Sequence, residues 1–429
     1  LSLALAAIML IGMMVVSASA VSYNDLTDKD QIVNKDAVSM LVSLGIIEGK
    51  PDGSYGPTEN VDRAQMAKML SVIMNKGVDN SALYQSVNSG LVDVNTNWAK
   101  GHINYCYTTG IIAGRGNGKF DPSATVTALE AAKMLLVAVG YDPKIEGFEG
   151  ADWAINVSVR ADEQGIFEGF TKDLSAPLNR DDAALLIYNA LDVEMIQSYT
   201  TNNYPIAYSD HRTILADKYG VIKVQGVVVA NEWASLASDD GDAALKEGKT
   251  TIYNGEGIFS TTGNTTVSKE DASLKTQTFN VSTPVDMLGK TVNLYIKKTT
   301  ILADSTVYGD PVVSDVNTVV TTGETVLYSG AKDPQVDYDK LLGENGLTDK
   351  DAKYFWNYNS GKYIPNTTEK YGDKTANVKG ATLTIIDNNG DGEVDYVLSV
   401  EKALADITSV NSKKETVTVR TLGTLDNKD

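Results

Sequence analysis

Three segments of this chain repeat one another in register, and that repetition restricts the fold more than any other feature. Gly45-Ile46-Ile47-Glu48-Gly49, Gly110-Ile111-Ile112-Ala113-Gly114 and Gly165-Ile166-Phe167-Glu168-Gly169 align on a Gly-Ile core. Trp98-Ala99 and Trp153-Ala154 each lie twelve residues upstream of the second and third cores, and Val33 holds the matching place in the first. Downstream, sixteen residues separate Gly45 from Val61 and Gly110 from Val126, against thirteen from Gly165 to Leu178. Chance does not hold a register like this, and periods of this size are the signature of repeat architecture.

Each copy reads as helix, loop, helix. The loops Pro51–Pro57 and Gly114–Pro122 are dense in Gly, Pro, Asn and Asp, which break regular structure. Every second helix opens with a start signal: Asp62 with Gln65, Thr127 with Glu130, and Asn179 with Asp182. In each pair the first residue suits the N-cap and the residue three later suits the reach-back of a capping box, Asp less well than Glu. Val61, Val126 and Leu178 precede the caps as staples, and Met66, Met69, Leu70 and Ile73 recur at helical spacing as one buried face. Arg63 and Arg180 follow the caps, a place where the helix dipole disfavours a cation, whereas the second copy has Ala128 there. Two explanations fit the arginines: a ligand to hold, or a salt bridge to a neighbouring copy.

The Trp-Ala pair, the Gly-Ile-Ile-x-Gly core, the Gly-x-(Phe/Tyr)-x-Pro loop and the helix start resemble the S-layer homology (SLH) domain. The helix start appears as Asp62-Arg63-Ala64-Gln65, Thr127-Ala128-Leu129-Glu130 and Asn179-Arg180-Asp181-Asp182. The resemblance covers roughly residues 22–195 and implies an all-α, pseudo-threefold bundle of three SLH repeats with grooves between them. It further implies a ligand, the secondary cell-wall polymer, through a sugar bearing a pyruvyl ketal. A ketal carboxylate suits a bidentate arginine, and a sugar ring suits an aromatic face. Carried onto this chain, Arg63 and Arg180 match the motif arginine and Trp98 and Trp153 the tryptophan, while Lys50, Arg115 and Lys119 are loop cations near the expected groove. Ala128 and Val33 depart from the pattern, so the resemblance implies one or two working grooves rather than three. The tryptophans also read as wedges between helices, and Arg115 as an exposed loop residue.

Beyond the polar stretch Ile196–Asn203 the pattern changes. Val221–Val229 is strand-like, and Thr291–Lys297 and Glu415–Arg420 alternate with period two. Residues 217–429 are therefore expected to be mostly β, in two or more sandwich- or barrel-like modules with a few short helices. Within them Asp387, Asn389, Asp391 and Asp395 follow a D-x-N-x-D-G-x-x-D spacing that suits Ca2+. Leu398 stands where an EF-hand has its bidentate Glu, and strand-like flanks make a plain hairpin turn the competing reading.

A net charge of -19 argues against nucleic acid and anionic membrane as partners. One cysteine, Cys106, excludes an internal disulfide, and two histidines, His102 and His211, leave little for His-based catalysis or a His-rich metal centre. Neither a nucleophile elbow, a phosphate loop, a zinc ligand set nor a convincing catalytic carboxylate pair is present. Leu1–Val16 is apolar and leads to Ala18 and Ala20 in an A-x-A arrangement, the form of a signal peptide and short for a membrane span. The expected organisation is a signal peptide over 1–20, repeats over 21–80, 81–145 and 146–196, a linker over 197–216 and the β-rich region from 217. The sequence is expected to begin inside the precursor and to stop before a closing element. With the resemblance, these features imply a secreted, non-catalytic S-layer-type protein on a Gram-positive-type surface. It would be held non-covalently to the wall polymer, self-associate in a lattice, and have no membrane span after signal cleavage. The alternative is an SLH-anchored enzyme acting on polysaccharide through its β-rich part or a region beyond it.

Overall fold

Two helices from each copy build the first part of the molecule: α1 (Lys35–Ser43) and α2 (Arg63–Met74), α3 (Lys100–Thr108) and α4 (Ala128–Ala138), α5 (Trp153–Glu163) and α6 (Arg180–Leu191). The computed structural model describes residues 23–236, 244–255, 275–297, 305–322, 338–356, 359–360, 381–401, 403–413 and 416–424. The signal peptide expected over 1–20 lies outside them. The chain divides into two units, one ending at Ile222 and the other opening at Lys223. Among the described residues no helix is long and apolar enough to cross a membrane.

The Gly-Ile core is a helix stop. Gly45, Gly110 and Gly165 adopt φ of 68°, 80° and 69°, the left-handed conformation that ends a helix at little cost only in glycine. The turn lets Ile46 N donate to Leu41 O and Ile166 N to Ala161 O at 2.9 and 2.8 Å, and the isoleucines enter the core. At the opposite ends, capping boxes form as the spacing predicts in the first two copies: Asp62 and Gln65 exchange bonds of 2.7 and 2.9 Å, and Thr127 and Glu130 two of 3.2 Å. In the third copy Asn179 accepts from Asp182 N at 2.7 Å, but no reach-back is present. Asp182 is one methylene short for it and meets Lys172 instead.

Residues before the caps are extended, so their backbone groups need partners outside the helices. They find one another. Val61 N donates to Leu178 O, Leu178 N to Val126 O, and Val126 N to Val61 O, at 2.9, 2.8 and 2.9 Å, which closes a ring through all three copies. The three side chains are buried. Met66, Leu70 and Ile73 are buried as expected from their spacing, but Met69 is only half-buried, because it lines a groove.

Residues 197–216, expected as a linker, are built into the first unit. β1 (Ile196–Tyr199) and β2 (Pro205–Ala207) form an antiparallel hairpin, with Asn203 at φ 64° supplying the turn. Ile196 N donates to Val139 O at 2.8 Å, and Tyr199 Oη donates to Glu146 and accepts from Asp142 N. The polar composition reflects turn chemistry rather than a flexible connector.

Among the described residues the second unit holds two five-stranded sheets and one separate hairpin. The first sheet has the order β5 (Thr276–Phe279), β4 (Thr250–Tyr253), β3 (Val221–Ala230), β6 (Thr291–Lys297), β7 (Thr306–Val313). The central place of β3 explains its nearly unbroken apolar run. The second sheet runs β10 (Asn359–Ser360), β9 (Lys353–Trp356), β12 (Tyr396–Glu401), β11 (Ala381–Asp387), β8 (Thr318–Thr321), with β9 and β12 parallel. A short helix, α7 (Tyr338–Glu344), covers one face, where Tyr338 and Leu342 join Leu383, Ile385 and Val397. Neither sheet closes on itself among the described residues. The hairpin β13 (Ala403–Asn411) and β14 (Thr416–Thr424) overlaps the alternating segment seen in the sequence, whose Glu415 lies outside the described residues.

Asp387 ends β11, and the residues after it through Asp395 form the loop to β12. Its carboxylates turn onto backbone N–H groups: Asp387 accepts from Asn389, Gly390 and Gly392, Asp391 from Glu393, and Asp395 from Asn388. Among the described residues no group of three or more His, Cys, Asp or Glu is placed to hold a metal ion. The loop also joins the two sheets, since Thr291 Oγ1 donates to Asn388 O and Asn388 Nδ2 to Gly289 O.

Candidate binding grooves of the first unit

Arg63 and Arg180 reach out of their own copies. Arg63, only 4% exposed, donates from Nε to Phe120 O at 2.9 Å and from Nη2 to Ala113 O at 2.8 Å, and lies 4.4 Å over the Phe120 ring. Arg180 repeats this on the first copy, with Nε to Tyr55 O at 2.8 Å, Nη2 to Glu48 O at 3.4 Å and the Tyr55 ring 4.7 Å away. The cross-copy partner is therefore a pair of carbonyls and an aromatic face rather than a salt bridge. Burial, with Arg115 nearby, pulls the Arg63 guanidinium down to about 10, so it remains charged at neutral pH.

The loops that receive these arginines are fixed from below. Asp28 accepts from Tyr55 N and Gly56 N at 2.7 and 2.8 Å, and Asp93 accepts from Phe120 N and Asp121 N at 2.9 and 2.8 Å. Burial opposes ionisation of both, but the backbone donors win and hold each carboxyl below its usual range. The residue after each aromatic is left-handed, Gly56 at φ 71° and Asp121 at φ 64°. At Gly56 a Cβ would come within 2.6 Å of Lys50 Nζ, so the missing side chain makes room for that lysine.

Two grooves result, and residue for residue they correspond. The smaller, about 220 Å3, is lined by Lys50, Gln65, Lys68 and Met69 of the first copy, Trp98 of the second and Arg180 of the third. The larger, about 470 Å3, is lined by Arg115, Glu130, Lys133 and Met134 of the second, Trp153 of the third and Arg63 of the first. Every groove thus draws on all three copies. Trp98 is 58% exposed at its rim, and Trp153 is half-buried with Lys133 Nζ 5.8 Å from its ring centroid. The cations are already partly engaged: Lys50 with Glu59, Lys68 with Glu48 at 3.6 Å, Arg115 with Glu130 at 2.8 Å, and Lys133 with Phe148 O at 2.5 Å. Burial and the neighbouring Arg63 lower Lys133, against the pull of Glu149.

The register gives the third junction a different character. Ala128, Phe170, Leu185 and Val33 occupy the places of the arginine, the loop cation, the helix lysine and the tryptophan. Lys172 stands where Tyr55 and Phe120 stand, so the aromatic is missing where the arginine is missing. Val33 is 82% exposed.

Of the residues singled out from sequence, Lys50, Arg63, Trp98, Arg115, Trp153 and Arg180 line the two grooves. Lys119 lines neither; its backbone closes the loop through bonds with Gly116 and Arg115, and it is exposed. Sequence reasoning missed Lys68 and Lys133. They sit at the same register position, one turn after Gln65 and Glu130, and that coincidence was the available signal. His102 is buried, with Nδ1 2.6 Å from Ser71 Oγ, and pins α3 to α2 behind Trp98. His211 is exposed and paired with Glu194.

Helical repeats that share cation-lined, aromatic-rimmed grooves form the first unit, and a β-rich unit follows. The sequence model of the S-layer homology domain family matches residues 22–67 and 92–132, within the first two copies. The chain is similar to a cell surface protein of Thermoanaerobacter kivui, at 29% identity over 58% of this chain and 30% of that one. It is also similar to an S-layer protein of Bacillus licheniformis, at 34% identity over 26% of this chain and 12% of that one. Exoglucanase XynX of Acetivibrio thermocellus is 28% identical over 40% of this chain and 16% of its own length. The chain spans less than a third of the length of each of these relatives. Residues 22–67 and 92–132 therefore carry S-layer homology domain sequence, a feature under which the chain is similar to cell surface and S-layer proteins.

Proposed function

We propose that the first unit is a wall anchor whose two grooves hold acidic sugars of the secondary cell-wall polymer, a pyruvylated glycan, without covalent attachment. The observation that carries this reading is the composition of the grooves. In a chain of net charge -19, each gathers three cations, with the motif arginine among them, and one tryptophan from three different copies. A carboxylate on the sugar meets the cations, and the ring's C–H face lies on the indole. At the third junction the places of the motif arginine, the loop cation, the helix lysine and the tryptophan hold Ala128, Phe170, Leu185 and Val33, so two grooves do the binding. The closed ring of backbone bonds through Val61, Val126 and Leu178 supports a pseudo-threefold bundle with repeats over 21–80, 81–145 and 146–196. The setting is a Gram-positive-type wall, and the β-rich unit forms or extends a surface lattice. The relative named as an exoglucanase favours a second reading, the same anchor carrying a polysaccharide-acting enzyme.

Co-sedimentation with purified sacculi tests the anchor. Binding to intact walls, loss on walls stripped of the secondary polymer, and loss in a Lys68→Ala/Lys133→Ala/Trp98→Ala/Trp153→Ala variant with unchanged circular dichroism are expected. Equal binding to stripped walls would move the ligand to peptidoglycan. Release of reducing sugar from wall or plant polysaccharide by the purified chain would favour the enzyme reading, and ordered two-dimensional assembly the lattice.

A further inference from the structure

The second unit has its own cleft. It measures about 560 Å3, within the size range of small-ligand sites, and lies between the middle of β3 and the ends of β4, β9 and β12. Its lining combines two aromatic rings, Tyr253 and Tyr396, with the amide of Gln225, the carboxylates of Asp351 and Asp395, and one cation, Lys353. Tyr253 is 40% exposed and offers ring surface, whereas Tyr396 is 6% exposed and stacks on Phe355 with ring centroids 6.0 Å apart.

Several of these groups are held in place before any ligand arrives. Gln225 Nε2 donates to Asn293 Oδ1 and Ser314 Oγ, both at 3.0 Å. Asp395 accepts from Asn388 N at 2.8 Å, and burial, together with Asp391 and Asp387, keeps its carboxyl above the usual range. Gly226 carries no Cβ, which would come within 2.9 Å of Tyr253 O, so that part of the wall is bare backbone. Side chains ordered in advance lose little entropy on binding.

The lining selects the ligand by exclusion. An anion would face two carboxylates against one lysine. A cation seeking the aromatic face finds Lys353 Nζ already 5.8 Å from the Tyr396 centroid. An apolar ligand would displace water from the Asp351 carboxylate and from the remaining acceptor positions of Gln225 and Asp395 without replacing its hydrogen bonds. A neutral ring with hydroxyls at its edge satisfies all of them, its C–H face on Tyr253 and its hydroxyls toward Gln225, Asp351 and Asp395. We propose that this cleft is a second carbohydrate site, specific for a neutral saccharide and distinct from the anion-holding grooves of the first unit. It stands independently of what those grooves bind.

Titration of the full chain with neutral tetrasaccharides of the gluco-, manno-, xylo-, galacto- and N-acetylglucosamine series, followed by saturation-transfer NMR and calorimetry, tests it. At least one series binds saturably, and equally to the Lys68→Ala/Lys133→Ala/Trp98→Ala/Trp153→Ala variant. Tyr253→Ala weakens that binding at least tenfold, and Asp351→Asn, an exposed and conservative change, at least fivefold. Saturable binding by none of the series, binding abolished in the groove variant, or binding indifferent to both cleft substitutions would overturn the proposal. So would saturable binding of choline, which would make the cleft a cation site.

Discussion

Arg63 shows how one side chain joins architecture to a binding surface. Its guanidinium spends two donors on carbonyls of the next copy and its face on Phe120, yet it still lines the larger groove. Arg63→Ala therefore strands two carbonyls and uncovers a ring, and a loss of about 2–3 kcal/mol in urea denaturation is expected. Arg63→Lys keeps the charge without the fork and recovers only part of it. The same double duty makes the arginines poor probes of binding alone, and Lys68 and Lys133 better ones. His102 gives a pH signature. Burial, with Lys68 nearby, lowers its affinity for protons despite Asp79 at 3.6 Å, so on acidification the unfolded chain protonates first. Its contribution is whole above an unfolded value of about 6.5 and is lost as pH falls below it. The melting temperature should drop between pH 7 and pH 5, and His102→Gln should flatten that slope.

At the scale of elements, the second helix of each copy is defined by its N-terminus. Two reciprocal capping boxes and one half-box follow from Gln, Glu and Asp at the third position. Thr127→Ala is expected to cost about 1 kcal/mol in thermal or urea unfolding, as caps generally do. Asp182→Glu, long enough to reach Asn179 N, would gain a box but release Lys172, so the net change should be smaller. Helix starts and strands β3 and β6 were legible in the sequence, because each depends on residues within one or two turns or one strand. The hairpin β1–β2 was not. Its turn residues look like those of a linker, and only its bonds to Val139, Asp142 and Glu146 show that it is docked.

For the whole molecule, the cyclic sharing of residues has a consequence that separate domains would not have. Removing residues 146–196 takes Trp153 from one groove and Arg180 from the other. A two-copy chain is thus expected to lose both grooves, not one of three. Sacculus binding should fall to background, and circular dichroism should show a helical domain loosened at the ring of Val61, Val126 and Leu178. Retention of half the binding would mean that each groove is built within one copy. The two-unit division also predicts that residues 21–222 alone sediment with walls as the full chain does.

The sequence by itself determined that three related helical pairs precede a β-rich region, where each second helix begins, and which copies lack arginine and tryptophan. Those are properties of short-range spacing and of residue identity. Only the tertiary structure decided that each arginine acts on a copy other than its own, that Lys68 and Lys133 belong with Trp98 and Trp153, and that Lys119 does not. The reason is geometric. A groove between copies brings together side chains up to about 130 residues apart, as Glu48 and Arg180 are, and no local pattern records which helix end will meet which loop.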